Sequence, residues 1–494
     1  MGVAILAAQM RVSRIASCRG RQRLLRKWLI LLGMLFVSAC GTDESATSAP
    51  PNIILISLDT VRADHLGLYG YSRPTSPNLD EFARSATLYS RAHTTAPWTL
   101  SAHASLFTGL YPSEHGAEMI RLEPDANPDL ELPLPPGALT LAEVLGEAGY
   151  RTASISSNLM YLVPRYGLHQ GFEHFETLKG RGKKAPARGN EVNARTQEWV
   201  EEVLADPDGR PFFLFINYMD AHTPYNTTPR PGFLEHTPPF SHRKRKFHEA
   251  RVNGGKPGVP RAILERTIDQ YDLSIANLDD SLGQFFAFLR DQDLFEDALI
   301  MVVSDHGEYL GEHDLLGHAK DVYEGAMRVP LIVKAPKQVE ARQRDELISL
   351  VHLPYMILEL AGLEERVEGD PFPYRWPEEQ IEGQMRYSLW IDIRAPWGAR
   401  FDRVRAALYD GRHKFIHSSD GNHELYDLEA DPDEAKNLLL GSPHLADTWA
   451  GRFSAIAEEE RRSPPEPDLD AYPEVDHELS EEDREKLRAM GYIE

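Results

Sequence analysis

Four apolar runs of strand length end in polar residues, at positions 52–59, 152–158, 211–220 and 298–306. Helical patterns separate them. Thr140 and Glu143 form a capping-box signal for a helix closing near Gly149, just ahead of the second run. Leu264, Ile268, Tyr271, Ile275, Leu278, Leu282, Phe285 and Leu289 recur at three- and four-residue spacing, giving one apolar face on a long helix that leads to the fourth run. Strands alternating with helices predict an α/β sheet. Ligands of such sheets collect at the carboxyl ends of the strands, where these polar residues would lie. After Gly362 the texture changes: positions 386–393, 404–410 and 413–417 read as short strands broken by Gly, Pro and Asp turns, a smaller antiparallel subdomain. The tail from Ser463 is Pro-rich and acidic and ends in a predicted short helix over 480–490, with Glu481, Glu482 and Asp483 in its first turn. Two basic stretches, 179–188 and 242–251, fall between the regular elements and read as solvated loops.

The chain has 494 residues, 42% of them hydrophobic, enough for at least one large core and two to four domains. Its formal net charge of -23 excludes nonspecific binding to nucleic acid, since a polyanion would be repelled over most of the surface. A small anionic substrate needs local positive charge, which metal ions held by carboxylates and some of the 19 histidines would supply. The two cysteines, Cys18 and Cys40, both precede the first strand, so the folded body holds neither a disulfide nor a thiolate metal site. Arg19, Arg21, Arg23, Arg26 and Lys27 stand ahead of the apolar run 28–37, which meets Ser38 and Ala39; residues 1–39 read as a signal peptide. The run is about half of the ~20 residues a membrane span needs. Val37-Ser38-Ala39-Cys40 resembles the bacterial lipobox, which implies a lipidated Cys40, a tether over 40–51, and an exported protein anchored to a membrane and facing the periplasm or cell exterior.

Three segments carry chemistry. Ser304-Asp305-His306-Gly307-Glu308, then Gly311-Glu312-His313, Tyr323-Glu324 and Arg328-Val329-Pro330, resembles the second signature region of the sulfatase family. A strand that delivers adjacent Asp and His offers an oxygen and a nitrogen ligand at one sheet edge, although by itself the pair would fit an ordinary surface turn. Leu58-Asp59-Thr60-Val61-Arg62-Ala63-Asp64-His65 is similar to the family's N-terminal metal-binding segment, with Thr60 where sulfatases usually carry a second Asp. Losing that carboxylate favours zinc or manganese and leaves calcium as the alternative. Pro97-Trp98-Thr99-Leu100-Ser101-Ala102-His103, ending in Ser105-Leu106-Phe107-Thr108-Gly109, looks like the motif whose Cys or Ser becomes formylglycine. In that register Thr99 takes the Cys position and His103 the motif Arg. No formylglycine is expected from a threonine. A threonine can still be a nucleophile beside a metal ion and a helix N-terminus, as in nucleotide pyrophosphatase/phosphodiesterases, phosphoethanolamine transferases and lipoteichoic acid synthases; a helix cap is its compatible structural role.

Where sulfatases have Gly-Lys-Trp-His, this chain has Ser156-Ser157-Asn158-Leu159, so Asn158 is either an oxyanion donor or a turn residue. His318 stands where many sulfatases have a second lysine. Asp220-Ala221-His222-Thr223-Pro224-Tyr225 resembles the family's Pro-His-x-Pro-Tyr segment, and Glu424-Leu425-Tyr426-Asp427-Leu428 its closing C-terminal strand. The resemblance runs over about 52–440. It implies an α/β, alkaline-phosphatase-like catalytic domain over 52–365, with a mixed, mostly parallel sheet flanked by helices. An antiparallel α+β subdomain over 366–440 and a helical, acidic tail over 441–494 follow. It also implies one divalent cation on Asp59, Thr99, Asp305 and His306. His222, His318 and Asp220 would face a second metal ion or the leaving group, and Thr99, His222, His318 and Asn158 would carry catalysis. The missing formylglycine precursor, Lys and Arg point to phosphodiester, phosphonate or phosphate esters ahead of sulfate esters, on a small molecule or a surface glycan or lipid. Two alternatives are a phospho-group transferase and a non-catalytic glycan-binding lipoprotein. The related transferases usually carry several transmembrane helices, and no such segment follows Cys40.

Overall fold

The computed structural model describes residues 49–459, apart from 121–129, 181–184, 231–232, 234–240, 257, 365–366, 368, 370, 375–382, 389–400 and 402. The expected signal peptide over 1–39, Cys40, the tail from Ser463 and positions 389–393 of the expected first C-terminal strand lie outside these residues. One eight-stranded sheet organises the body: β1 (Ile53–Leu58), β2 (Thr87–His93), β3 (Arg151–Ser156), β4 (His174–Thr177), β5 (Phe212–Tyr218), β6 (Leu299–Val303), β7 (Arg328–Lys334) and β8 (Arg342–Ser349). Their order is β8-β2-β7-β6-β1-β5-β3-β4. β7 runs antiparallel to both its neighbours, and the other pairings are parallel, so the sheet is mixed and mostly parallel.

Alternation along the strands makes two cores. Ile53, Leu55, Phe213, Phe215, Met301 and Val303 face one side, while Ile54, Ile56, Leu214, Ile216, Ile300 and Val302 face the other. Strands buried on both faces read as continuous apolar runs, which is why the sequence displays them so clearly. α1 (Thr99–Thr108) and α2 (Leu141–Glu147) cover one face and α3 (Gly189–Ala205) and α5 (Arg261–Asp291) the other, while α4 (His242–Asn253) packs against the short segment Leu316–Gly317. The expected capping box opens α2, with Glu143 N donating to Thr140 Oγ1 at 3.2 Å and Thr140 N to Glu143 Oε2 at 2.8 Å. Along α5 the periodic residues from Tyr271 to Leu289 are buried, whereas Leu264 and Ile268 are half-buried near its start.

The basic stretch 242–251 is not a loop. It forms most of α4, opened by Ser241, whose Oγ accepts from Lys244 N at 3.4 Å. Its inward residues include Arg245, Glu249 and Asn253, so its packing is polar and leaves little apolar periodicity to find. In the other basic stretch, Lys179 and Pro186 form an isolated antiparallel bridge.

The C-terminal part holds a four-stranded antiparallel sheet in sequence order: β9 (Gly383–Ser388), β10 (Val404–Tyr409), β11 (His413–Ser418) and β12 (Glu424–Asp427). α6 (His444–Glu459) packs on it through Trp449 and Phe453, against Leu408 and Phe415. Buried Lys414 of β11 lies 2.9 Å from Glu324, in the short turn of helix that leads into β7, and 2.7 Å from Glu434, which follows β12. No helix among the described residues is long and apolar enough to cross a membrane.

Candidate metal centre and nucleophile

The strand register places the chemistry. Ser57 of β1 is level with Asn217 of β5 and Val303 of β6, and Asn217 is level with Ser156 of β3. The residues that follow these strands therefore emerge at one carboxyl edge. Asp59 follows β1, Asn158 follows β3, Asp220 and His222 follow β5, and Asp305 and His306 follow β6.

Asp59, Asp305 and His306 come together: one ligand atom from each lies within 4.8 Å of the others, and all three residues are buried. Thr99, the first residue of α1, brings Oγ1 to 3.4 Å from His306 Nε2. Asp59 Oδ1 and Asp305 Oδ2 are buried with no hydrogen-bond partner. Burial pushes the Asp305 carboxyl up to about 7. Burial, then the neighbouring Asp305 charge, raises Asp59 well above the usual carboxylate range. His306 is held neutral, its pKa lowered by burial, and its Nδ1–H donates to Gly307 O at 2.9 Å. That leaves the Nε2 lone pair facing Asp305 Oδ2 at 3.4 Å. Two unpartnered carboxylate oxygens, an imidazole lone pair and a hydroxyl form a donor set that fits a divalent cation.

Supporting contacts hold these groups in place. His103 lies beneath Thr99 and donates from Nδ1 to Thr99 O at 2.9 Å, while Ser57 Oγ lies 3.1 Å from Nε2. Burial pushes His103 down to about 4, so it is a neutral support and does not replace the cationic arginine of the sulfatase motif. Asn158 uses Nδ2–H to donate to Asp59 Oδ2 at 3.0 Å, and its Oδ1 accepts from Met160 N and Tyr161 N. It is both a turn residue and a neighbour of the cluster. Gly307 N donates to Ala326 O at 2.8 Å, and a Cβ on Gly307 would come within 2.2 Å of Gly325 O.

His222 and His318 lie alongside the cluster. Their ring centroids are 5.0 Å apart, and His318 is 4.7 Å from the His306 ring. Burial, together with the neighbouring imidazoles, lowers both well below the ordinary histidine range. Asp220 is turned away: Asn226 Nδ2 donates to its Oδ1 at 2.6 Å, and Gly189 at the start of α3 lies on its other side. Burial raises it to about 6. Among the described residues, Asp59, Asp305 and His306 are the one metal-sized group of carboxylates and imidazoles. Asp64 pairs with Arg62 at 2.7 Å and His65 with Asp272 at 2.6 Å, both structural contacts, while His313 stacks on Tyr323.

The sequence did not single out Glu308, Tyr225 or Arg245. Buried Glu308 lies 3.6 Å from His318 Nδ1, accepts from Tyr225 OH at 2.9 Å and faces Arg245 at 3.9 Å. Glu308 and Tyr225 fall inside quoted motifs, so proximity to His306 and His222 was the available signal; Arg245 comes from a helix that the pattern hid.

The sulfatase family profile matches residues 51–363, and that of the C-terminal part of N-sulphoglucosamine sulphohydrolase matches 311–450. An arylsulfatase of Clostridium perfringens is 25% identical over 455 residues, covering 79% of this chain and 90% of the relative. A multifunctional alkaline phosphatase superfamily protein of Trinickia caryophylli is 25% identical over 488 residues, covering 80% and 92%. The phosphonate monoester hydrolase of Agrobacterium radiobacter superposes with a TM-score of 0.61 at 20% identity, over 83% of this chain and 96% of that one. With the profile matching well over half its length, this chain belongs to the sulfatase family, metal-dependent hydrolases of ester bonds within the alkaline phosphatase superfamily.

Proposed function

We propose that this protein hydrolyses phosphodiester, phosphonate or phosphate esters with Thr99 as its nucleophile. The observation that carries this reading is the placement of Thr99 Oγ1 at the N-terminus of α1, 3.4 Å from His306 within the buried carboxylate and imidazole cluster. A divalent cation held by Asp59, Asp305, His306 and Thr99 would lower the pKa of the hydroxyl and offset the charge of the two carboxylates. Thr99 Oγ forms a bond to phosphorus as the bond to the leaving-group oxygen breaks in line, and the leaving oxygen takes a proton. Water then attacks phosphorus, releasing Thr99 and the product acid. His222 and His318, neutral imidazoles beside the cluster, would take up the Thr99 hydroxyl proton and pass it to the leaving oxygen, then take a proton from the attacking water and return it to Thr99. The free backbone N–H groups at the start of α1 favour anionic charge there. Support from relatives comes from the phosphonate monoester hydrolase and the multifunctional superfamily protein.

Sulfate-ester hydrolysis is the second reading, favoured by the match to the arylsulfatase. Turnover of nitrophenyl phosphodiester, methylphosphonate, phosphate and sulfate esters by wild type and Thr99→Ala separates the two. We expect metal-dependent phosphoester or phosphonate cleavage to fall by about a thousandfold or more in the variant. Sulfate cleavage that survived the substitution would place the nucleophile elsewhere. We also propose export and anchoring through a lipidated Cys40, supported by the 37–40 sequence. Palmitate labelling that persists in Cys40→Ala would refute it.

A further inference from the structure

His318 sits in an irregular stretch, 316–323, and its place is set by contacts from distant parts of the chain. Leu316 and Gly317 pair with Leu310 and Tyr309, and beyond them the ladder ends. Gly317 and Ala319, on either side of His318, take left-handed backbone with φ 80° and 56°. A residue with a Cβ rarely adopts that conformation, and it persists only where neighbouring contacts impose it. One such contact reaches the nucleophile segment: Ala319 N donates to Pro97 O at 2.9 Å, two residues ahead of Thr99.

The other end of the stretch is gripped by the C-terminal sheet. Arg403 Nη2 donates to buried Asp321 Oδ2 at 3.0 Å, and Arg405 Nε of β10 lies 3.3 Å from Oδ1. Asp321 passes this grip to its own backbone, since Oδ1 accepts from Val322 N at 2.9 Å and its carbonyl accepts from Tyr309 OH at 2.6 Å. Arg405 is itself fixed by Glu424 of β12, to which Nη2 donates at 2.8 Å, and Tyr323 OH donates to the same carboxylate at 2.8 Å. His318 is therefore followed by two clamps, one from Ala319 to the nucleophile segment and one from Asp321 to the C-terminal sheet.

We propose that Asp321, held by Arg403 and Arg405, is a positioning residue for His318, so that the C-terminal sheet sets the distance of this imidazole from the leaving-group oxygen at Thr99. This rests on the proposed proton transfer by His318, and it gives the smaller sheet a part in a reaction at the edge of the larger one. Displacing a catalytic group by about 1 Å from a remote position can cost about 100-fold in rate.

The test uses the full-length protein and two esters of whichever class the wild type turns over, one releasing phenol and one releasing nitrophenol. Phenol is the poorer leaving group and depends more on a proton delivered as the bond breaks. Asp321→Asn keeps an acceptor for Val322 N and removes the charge that Arg403 and Arg405 face. It should lower kcat/KM on the phenyl ester by about tenfold more than on the nitrophenyl ester, with metal content unchanged. A variant that only loosened the fold would lower both by the same factor. Arg403→Gln should move the ratio in the same direction, Arg403→Lys should retain the wild-type ratio, and the double variant should be no worse than Asp321→Asn alone. Should Asp321→Asn fail to fold, Arg403→Gln, at a partly exposed side chain, decides the outcome. Arg412→Gln, which removes an exposed pair with Asp427 in the same sheet, should leave both esters unchanged. The proposal is overturned if the two esters fall equally, or if neither falls, in variants that bind metal and unfold cooperatively. Turnover lost in Thr99→Ala beside an unmoved ratio in Asp321→Asn would defeat the positioning role alone, whereas full turnover in Thr99→Ala would defeat the nucleophile reading.

Discussion

Asn158 donates its side-chain N–H to Asp59 at 3.0 Å, so the residue standing in place of a sulfatase lysine segment holds a carboxylate of the metal centre. Two roles for it give different results. As a support of Asp59, its replacement by Ala removes a donor to a ligating carboxylate and should lower metal affinity by roughly 10- to 100-fold. As an oxyanion donor it should lower kcat and leave metal content alone. The contact favours the first outcome, and metal content alongside turnover for Asn158→Ala distinguishes them.

Removal of metal should reverse the direction in which stability depends on pH. Without a cation, Asp305 is raised to about 7 and Asp59 is also raised, both chiefly by burial. A carboxyl whose folded pKa exceeds its unfolded value contributes stability at low pH that is lost as pH rises through the folded value. The chelated protein should therefore lose thermal stability as pH rises between about 4 and 7. Restoring zinc or manganese should raise the unfolding temperature, most of all at pH 8. An unfolding temperature that does not respond to chelation at pH 8 would contradict the proposed ligand set.

Much of this centre was legible because each ligand closes a conspicuous element. Asp59 and Asp305 end apolar runs, and Thr99 could be placed by counting back from Ser105-Leu106-Phe107-Thr108-Gly109. The strand register that levels Ser57, Asn217 and Val303 then brings them together. What stayed hidden was polar packing. Asp220 occupies the same sheet edge as His222 but turns to Asn226 and α3, a rotamer choice that alternation does not encode. α4 was hidden because Arg245 and Asn253 make contacts usually made by apolar residues, and hydrophobic periodicity cannot register a helix fastened by hydrogen bonds and charge.

Acid should destabilise the protein partly through histidines remote from the metal centre. His115 is buried between Ala117 N, which donates to its Nδ1 at 3.0 Å, and Ser105 Oγ, 3.1 Å from its Nε2. Both nitrogens are committed in the neutral ring, and burial pushes the group down to about 3; burial likewise pushes His352 down to about 4. For a histidine lowered on folding, the unfolded chain binds more protons, so stability present above the unfolded pKa near 6.5 is lost as pH falls. Each group contributes on the order of 3 kcal/mol that disappears between about pH 6.5 and 4. Denaturant titrations should show His115→Gln less stable at pH 7 but shallower in its pH dependence over that window. An unchanged slope would mean that His115 is not buried neutral.

One departure from the sulfatase pattern, Thr60 in place of a second Asp, can be reversed. Thr60 has φ 63°, a left-handed conformation that a β-branched residue adopts at a cost of about 1–2 kcal/mol and that Asp tolerates better. Its backbone is held on both sides, with N donating to Asp305 Oδ1 at 3.2 Å and O accepting from Tyr271 OH at 2.7 Å. Its buried Oγ1 has no hydrogen-bond partner. Thr60→Asp should therefore keep the turn and place a third carboxylate beside Asp59 and Asp305. Without metal, another buried negative charge adds to the repulsion and should lower the unfolding temperature. With calcium, an extra oxygen ligand should raise affinity by about tenfold or more, because calcium seeks six to eight oxygens while zinc is satisfied by four mixed ligands. Calorimetric titration with calcium and zinc reads both effects. A variant that gains no affinity for calcium would show that the side chain at position 60 does not reach the cation, and that metal preference is set by His306 and Thr99 instead.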